Sequence, residues 1–487
     1  MTLSDEEFGR ILGDSPVIAV DAPAGAGKTH LACTVAFASV PKLKPYQEVL
    51  FLSHTNAARD VFRRRVSGEG RASSGIALKT LDTFCIDVLS PYADLWGLPT
   101  PLRPPTPIPR DWFLDVRRKA ATLFERRLEI ARAAAHRYPL VLADEHQDAS
   151  IHHNSIIQSL ARVGSRVRMF GDALQAILTF DPTIPGWDHL TEGIATIELS
   201  GAWRWRDAPE LGEWISAARA LLKAGVAIPL SNAPVCVDVM SVLGTRQSWT
   251  QNADVLKVLR RLRGEESLIV LSRRNDEAKA IARHPELDLA VNEGSDQSAV
   301  EQVVAEVVSA IGDHRTIAGS LVDFMIGCGS LDPQSAQLIK ALDRGNAEHG
   351  TAEVIDILRA RADLPGLVLA VRAARRHASQ LGWTISHPMS LNTLAALPLS
   401  VGVDEVRELI FQAQRAAAET AVPSRCASTI HKAKGREFDH VVVPWLDAST
   451  FGPDIKDRQL LYVALSRARR RLTLVVPAQN RSPLVSV

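Results

Sequence analysis

Residues 22–29 read Ala-Pro-Ala-Gly-Ala-Gly-Lys-Thr and follow directly on an apolar run, Pro16-Val17-Ile18-Ala19-Val20. That order predicts a buried strand, a tight loop and then a helix. Gly25 and Gly27 let the backbone curl so that successive N–H groups point inward, and the following helix adds the positive end of its dipole. Lys28 can then reach the β- and γ-phosphates of a nucleotide, and the Thr29 hydroxyl can ligate Mg²⁺. Ala22 stands where the general pattern has glycine. A glycine-rich turn that merely caps a helix would look similar, so the reading needs a partner elsewhere in the chain.

The partner is a second apolar run, Pro139-Leu140-Val141-Leu142-Ala143, which ends in Asp144-Glu145-His146-Gln147-Asp148. Ligands of open α/β sheets sit at the carboxyl ends of the strands. A carboxylate pair placed there can divide two tasks: Asp144 holds the water shell of a metal, and Glu145 orients and deprotonates an attacking water.

Composition bounds the rest. A chain of 487 residues, 46% hydrophobic and 23% charged, is too long for one core and implies two to four domains. With 56 basic against 55 acidic side chains there is no global electrostatic case for nucleic acid. Any such surface must be local, and Arg63-Arg64-Arg65 and Arg469-Arg470-Arg471 read either as nucleic-acid contacts or as solvated ends of elements. Cys33, Cys85, Cys236, Cys328 and Cys426 are scattered without a C-x-x-C pair, which argues against zinc, iron–sulfur or a disulfide framework. The acidic start and the lack of an apolar stretch of about 18 residues predict a cytoplasmic protein outside the membrane. His152 and His153, lacking company at metal spacing, read as helix-surface residues.

Short apolar strands alternate with helical stretches through the first half: Val49–Leu52, Ile76–Leu78, Leu140–Ala143 and Val167–Phe170. This is the pattern of a doubly wound parallel α/β sheet. A proline-dense stretch from Pro91 to Pro109, with a helical segment from Asp111 to His136, interrupts it. A second series starts at Leu268–Leu271, resumes at His440–Val443 and ends in Leu472–Val476, around an Ala-, Leu- and Arg-rich stretch that reads as helical. The fold class expected is α/β, with two RecA-like parallel-sheet domains in tandem, each carrying a mostly helical insertion. The first would comprise 1–85 and 140–230 with insertion 86–139, the second 231–300 and 421–487 with insertion 301–420.

The order of motifs resembles the UvrD/Rep branch of superfamily 1 DNA helicases over both cores, though over neither insertion. The loop at 22–29 is similar to the A-x-x-G-x-G-K-T of that family, and Ser53-His54-Thr55-Asn56-Ala57-Ala58 to its next motif. Thr80-Leu81-Asp82-Thr83-Phe84-Cys85 resembles T-I-H-S-F-C with Asp82 for histidine, and Asp144–Asp148 resembles D-E-x-Q-D. Gly171–Ile177 resembles G-D-x-x-Q-S-I, and Leu199–Arg204 resembles L-x-x-N-Y-R with Trp203 for tyrosine. Thr429–Phe438 is similar to T-x-H-x-A-K-G-x-E-F, and Tyr462–Ala468 to the final Y-V-A-x-T/S-R-A.

The resemblance implies ATP and Mg²⁺ as cofactors. Ala22, Pro23, Ala24, Gly25, Ala26, Gly27, Lys28, Thr29 and His30 would hold the nucleotide, and Thr29 and Asp144 the metal. Lys28, Glu145, Gln175, Arg204 and Arg467 would be catalytic, with Gln175 sensing the γ-phosphate and the two arginines clamping it. Glu437 would bind the ribose; Trp203 would stack on the base or belong to the core. Glu7 stands where the family reads adenine with glutamine, and is either a poorer reader of that edge or a solvated helix residue. Thr55, Asn56, Thr83, Phe84, Phe180, Thr429 and His431 would face single-stranded DNA. After Gln175 the family's aromatic run is replaced by Ile177-Leu178-Thr179-Phe180-Asp181-Pro182, which weakens the expected grip on the strand.

Two functional classes follow. One is an autonomous 3′-to-5′ translocase or helicase acting on single-stranded DNA or DNA junctions. The other is a DNA-responsive ATPase subunit with a nuclease or other protein partner, comparable in layout to the helicase-like subunit of Gabija-type anti-phage systems. The short insertions and the lost stacking residues predict poor strand separation by the isolated chain, and efficient separation would favour the first class.

Overall fold

The computed structural model describes residues 5–54, 62–63, 75–100, 102, 111–177, 183–243, 253–282, 284, 287, 289–291, 297–385, 388–397, 399 and 424–486. They form two compact units, Met1–Arg273 with Thr429–Val487, and Arg274–Ser428.

The first unit is built on six strands: β1 (Val17–Asp21), β2 (Val49–Ser53), β3 (Ile76–Thr80), β4 (Leu140–Ala143), β5 (Arg166–Gly171) and β6 (Thr196–Glu198). They form one sheet in the order β3-β2-β4-β5-β1-β6, every pair parallel. The central strands are apolar on both faces because helices cover both. On one face Ile18, Val20, Phe51, Leu142 and Phe170 meet Leu31, Val35 and Ala36 of α2 (Lys28–Ser39), over which α1 (Asp5–Leu12) adds Ile11. On the other face Ala19, Leu50, Leu52, Val141 and Val167 meet Phe84, Val116, Phe124, Ile156 and Leu160. Neighbours along a strand go to opposite faces, as the two-residue period requires.

The helical segment expected over 111–136 is two helices, Trp112–Arg126 and Leu128–Arg137. Their Val116, Phe124, Ala131 and Ala135 share a hydrophobic cluster with the sheet. Phe84 lies in that cluster too, its ring 6.3 Å from Phe124 and 6.2 Å from Tyr138.

A second parallel sheet in the same unit places Leu268–Ser272, Phe438–Val443, Ala468–Pro477 and Val237–Val242 side by side in that order. The last of these buries only its two end residues, Val237 and Val242, and β6 only Ile197, so neither is an uninterrupted apolar run that stands out in the sequence. The fold is thus α/β with parallel sheets of the RecA-like kind.

The second unit is largely helical. Helices His314–Cys328, His349–Ala360 and Leu364–Arg376 bury Leu321, Met325, Val354, Leu358, Leu367 and Val371 in one cluster. A short parallel pair joins Ala290 to Cys426 and Val291 to Ala427. Among the described residues no helix is long and apolar enough to cross a membrane.

Candidate nucleotide site and nucleic-acid surface

Strand order decides which motifs meet. β5 lies between β4 and β1, so the carboxyl ends of three neighbouring strands carry the glycine loop, Asp144-Glu145 and Gly171-Asp172 together. The loop leaves β1 with the Ala22 N–H donating to the Gly171 carbonyl at 2.8 Å, and turns with Ala26 N–H to Pro23 O at 3.1 Å. Gly25 (φ 74°) and Gly27 (φ 90°) take left-handed conformations that only glycine adopts cheaply. At Gly25 space is decisive as well, because a Cβ there would stand 2.8 Å from Arg204 Cβ and 2.9 Å from the Trp205 ring.

Helix α2 starts at Lys28 with no side-chain cap and no acidic residue in its first turn. Its first amides therefore meet no carboxylate of their own helix, which suits an anion. Lys28 Nζ donates to Glu145 Oε1 and lies 3.5 Å from Asp144 Oδ1. The paired carboxylates hold the ammonium form of Lys28 against the cost of burial. Burial pushes Asp144 upward and Lys28 opposes it. For Glu145 the balance goes the other way: Lys28 and Lys434 outweigh burial and keep the carboxyl well below its usual range. Glu145 has φ 53°, an uncommon conformation for a non-glycine residue, and Gln147 Nε2 donates to its Oε2 at 2.6 Å.

Gln175 joins through Asp172. Its Nε2 donates to Asp172 Oδ2 at 2.8 Å, and Arg467 Nη2 reaches its Oε1 at 3.5 Å. Arg467 is buried and donates to Val463 O at 3.0 Å and Ser466 Oγ at 2.8 Å; burial, with Arg204 nearby, lowers its pKa to about 10. Arg204 crosses the loop, with its N–H on Gly25 O at 3.3 Å and its Nη2 2.7 Å from Glu437 Oε1. Trp203 is 51% exposed and would stand 3.5 Å from a Cβ on Gly27, whereas Trp205 beside it is the buried tryptophan. Thr29 is half-buried and His30 exposed at the start of α2; Glu7 is half-buried in α1. The cradle a Cβ would fill, the uncapped amides and the Lys–Asp–Glu group together fit a nucleoside triphosphate with Mg²⁺.

Several members of this group were not singled out as functional from the sequence. Lys434 donates to Asp148 Oδ2 and, at 2.6 Å, to Gln175 O, and lies 3.7 Å from Glu145 Oε2. It stands inside the motif at 429–438, which was its available signal. Tyr462 Oη accepts from Ala24 N–H at 3.0 Å, and Arg219 bridges Asp21 at 3.1 Å and Asp172 at 3.0 Å. Nothing local in the sequence marks Arg219.

On the nucleic-acid side, Thr55, Asn56 and Phe180 lie outside the described residues. Thr83 is exposed, its hydroxyl 2.8 Å from Thr80 Oγ1, and His431 is exposed at the start of the short helix Ile430–Ala433. Thr429 is buried and caps that helix through Lys432 N–H. Phe84 is 2% exposed, so its ring belongs to the core and not to a surface a strand could reach.

One histidine reading needs correction. His153 is buried, not on a helix surface, because its Nε2 meets Asp82 Oδ1 at 3.3 Å while Arg117 grips the same carboxylate at 2.6 and 3.0 Å. Asp82, the residue in the histidine position of its motif, is thus tied inward. His54 packs edge-on to His153 at 5.7 Å, and burial drives its pKa well down; burial likewise lowers His146 to about 4.

A phosphate loop beside a Lys–Asp–Glu group on adjoining parallel strands is the layout of a P-loop nucleoside triphosphatase. Comparison with family models narrows this: residues 111–182 match the UvrD/REP helicase N-terminal domain, and residues 425–475 the UvrD-like helicase C-terminal domain. A comparison with curated proteins finds no match. Over those two stretches the chain is similar to UvrD/REP helicases, a likeness that points to a helicase or ATPase of the UvrD type.

Proposed function

We propose that the chain is an ATP-driven 3′-to-5′ translocase on single-stranded DNA, hydrolysing ATP between its two parallel sheets. The observation that carries this is the convergence of Lys28, Glu145, Gln175, Arg204 and Arg467 around one glycine loop, although they come from five separate stretches of chain. Lys28 now sits on Glu145; phosphate charge at the loop competes for it. Once Lys28 moves to the phosphates, Glu145 loses its nearer ammonium partner and keeps Lys434 at 3.7 Å and Gln147 at 2.6 Å, which leaves a less tightly held carboxylate suited to orient a water and accept its proton. Gln175 positions that water or the γ-phosphate, and the two guanidinium groups offset the charge that grows on the transferred phosphoryl group. Thr29 and Asp144 would hold Mg²⁺, which would supply charge neutralisation of the phosphates. Trp203 stacks on the base and Glu437 takes the ribose, releasing Arg204 for the phosphates.

Thr83 and His431 present exposed polar groups for the strand, the kind of contact that positions a backbone without reading sequence. The test is ATP hydrolysis with and without oligonucleotide, alongside directional displacement of a block from either end of a single strand. Stimulation by DNA, lost in Lys28→Ala, and displacement from one end support the reading. Equal rates with and without DNA reject it. Stimulation by DNA without displacement from either end assigns the chain to the other class, a DNA-responsive ATPase subunit of a defence or nuclease complex.

A further inference from the structure

The second unit carries a cluster that the nucleotide site does not use. Helix His349–Ala360 places His349 and Glu353 one turn apart on the same face, the spacing at which side chains of a helix meet. His377, at the C-cap of helix Leu364–Arg376, comes over to join them. Each of the three offers one ligand atom, and these atoms lie within 4.8 Å of one another. The His377 and His349 rings stand edge-on, 5.5 Å between centroids, and His377 Nε2 is 2.6 Å from Glu353 Oε2.

The approach is built into the backbone. A Cβ at position 350 would come within 2.5 Å of His377 Cβ, so only glycine lets the two helices bring His377 this close to the turn that bears His349. Arg376 donates to Glu353 Oε1, which turns the other oxygen, Oε2, toward the histidines and leaves the carboxylate one-toothed. His349 and Glu353 also line an open depression with Arg344, Ala352, Asp356 and Ile357, so the cluster is reachable from solvent.

We propose that His349, Glu353 and His377 form a site for a divalent transition-metal ion, with Zn²⁺ the best fit. Two imidazole nitrogens and one carboxylate oxygen are a donor set that zinc takes in tetrahedral geometry, leaving a fourth position for water. Bonds of about 2.0–2.2 Å in that geometry ask the three atoms to stand somewhat over 3 Å apart, a small rotation of the exposed His349 ring and the half-buried His377 ring from where they are. Nitrogen donors disfavour Mg²⁺, so this site is chemically distinct from the one at Thr29 and Asp144. Bound metal would clamp the first turn of one helix to the last turn of the next.

The rival account is that the cluster is only a Glu353–His377–Arg376 ion-pair group, and one variant separates the two. His349→Ala leaves that group intact but removes a metal ligand. The full chain is stripped with chelator and titrated with Zn²⁺ against a chromophoric chelator in excess Mg²⁺, with Co²⁺ absorption reporting coordination. We expect one equivalent bound, a four-coordinate Co²⁺ spectrum and a Zn²⁺-induced rise in melting midpoint. His349→Ala, Glu353→Gln and His377→Ala should each weaken binding at least about tenfold and abolish that rise, while His189→Ala, an exposed histidine of the first unit, should change nothing. No bound equivalent, or wild-type affinity in His349→Ala with an unchanged far-UV spectrum, overturns the proposal.

Discussion

Arg219 offers the sharpest test of how the nucleotide site is held. It lies on helix Pro209–Ala224, is 8% exposed, and its guanidinium spans Asp21 at the end of β1 and Asp172 just after β5, at 3.1 and 3.0 Å. Both carboxylates are buried. At an effective dielectric of about 20 each contact is worth roughly 5 kcal/mol of Coulomb attraction, most of it offset by the cost of burying the three charges. Removing only the cation leaves that cost uncompensated, and losses of about 3–5 kcal/mol are typical of such a change. Lys223, 3.7 Å from Asp21 but 55% exposed, supplies partial cover, so Arg219→Met should cost about 3 kcal/mol. For a unit of this size that lowers the melting midpoint by roughly 4 °C.

The pH dependence is the diagnostic part. Burial already raises the Asp21 pKa, with Arg219 pulling it down, so the variant raises it further. A carboxyl whose folded pKa exceeds its unfolded one binds more protons folded than unfolded, and stability then falls as pH rises. The deficit of Arg219→Met should therefore be largest near about pH 8 and narrow toward about pH 5. Asp172 also positions Gln175, so ATP turnover should drop with it, and adding Asp172→Asn should recover part of the stability. Denaturant melts across pH measure this. A loss under about 1 kcal/mol, or a deficit that does not change with pH, refutes the argument that Arg219 neutralises two buried charges.

Three further outcomes follow from the same geometry. Glu145→Gln should lower kcat for ATP by about 10²–10⁴ while leaving nucleotide binding measurable with a fluorescent analogue; retained turnover removes Glu145 as the base. Trp203→Ala should raise the dissociation constant for ATP about 5- to 100-fold if its ring stacks on the base, and an unchanged constant would leave the exposed indole without that role. Asp82 is kept well below the usual carboxylate range because His153 and Arg117 outweigh burial. Its ionised form thus adds stability above about pH 4 that is lost as pH falls. Asp82→Asn should cost about 2 kcal/mol near neutrality and little in acid; a gap that stays constant in urea melts at both ends counts against the pairing.

Much of the nucleotide site was legible in the sequence because its chemistry is written in short contiguous pieces. A glycine loop after an apolar run, and two acids after another, each specify a strand, a turn and a side-chain position with no knowledge of the rest of the chain. The apolar runs that read as strands lie in the strands of the two sheets, most of them extended by a residue or more at one or both ends, since a strand buried on both faces advertises itself in composition. Strands such as Val237–Val242, half exposed at a sheet edge, carry no such mark.

What only the tertiary structure decided is which side chains answer each other across long stretches of chain. Lys434 meets Asp148, Arg219 meets Asp21, and the Ala24 amide meets Tyr462, because helices Pro209–Ala224 and Ile455–Leu465 and the turn after helix Ile430–Ala433 pack against the carboxyl ends of the first sheet's strands. The same holds for residues whose motif position suggested one environment and whose packing gave another. Phe84 sits in a surface-facing motif yet turns its ring into the core, and His153 turns inward to Asp82, because a helix presents only some of its positions to solvent. Local sequence specifies the chemistry a segment can perform; the burial and charge that set Glu145, Asp82 and Arg467 come from neighbours that only the folded chain supplies.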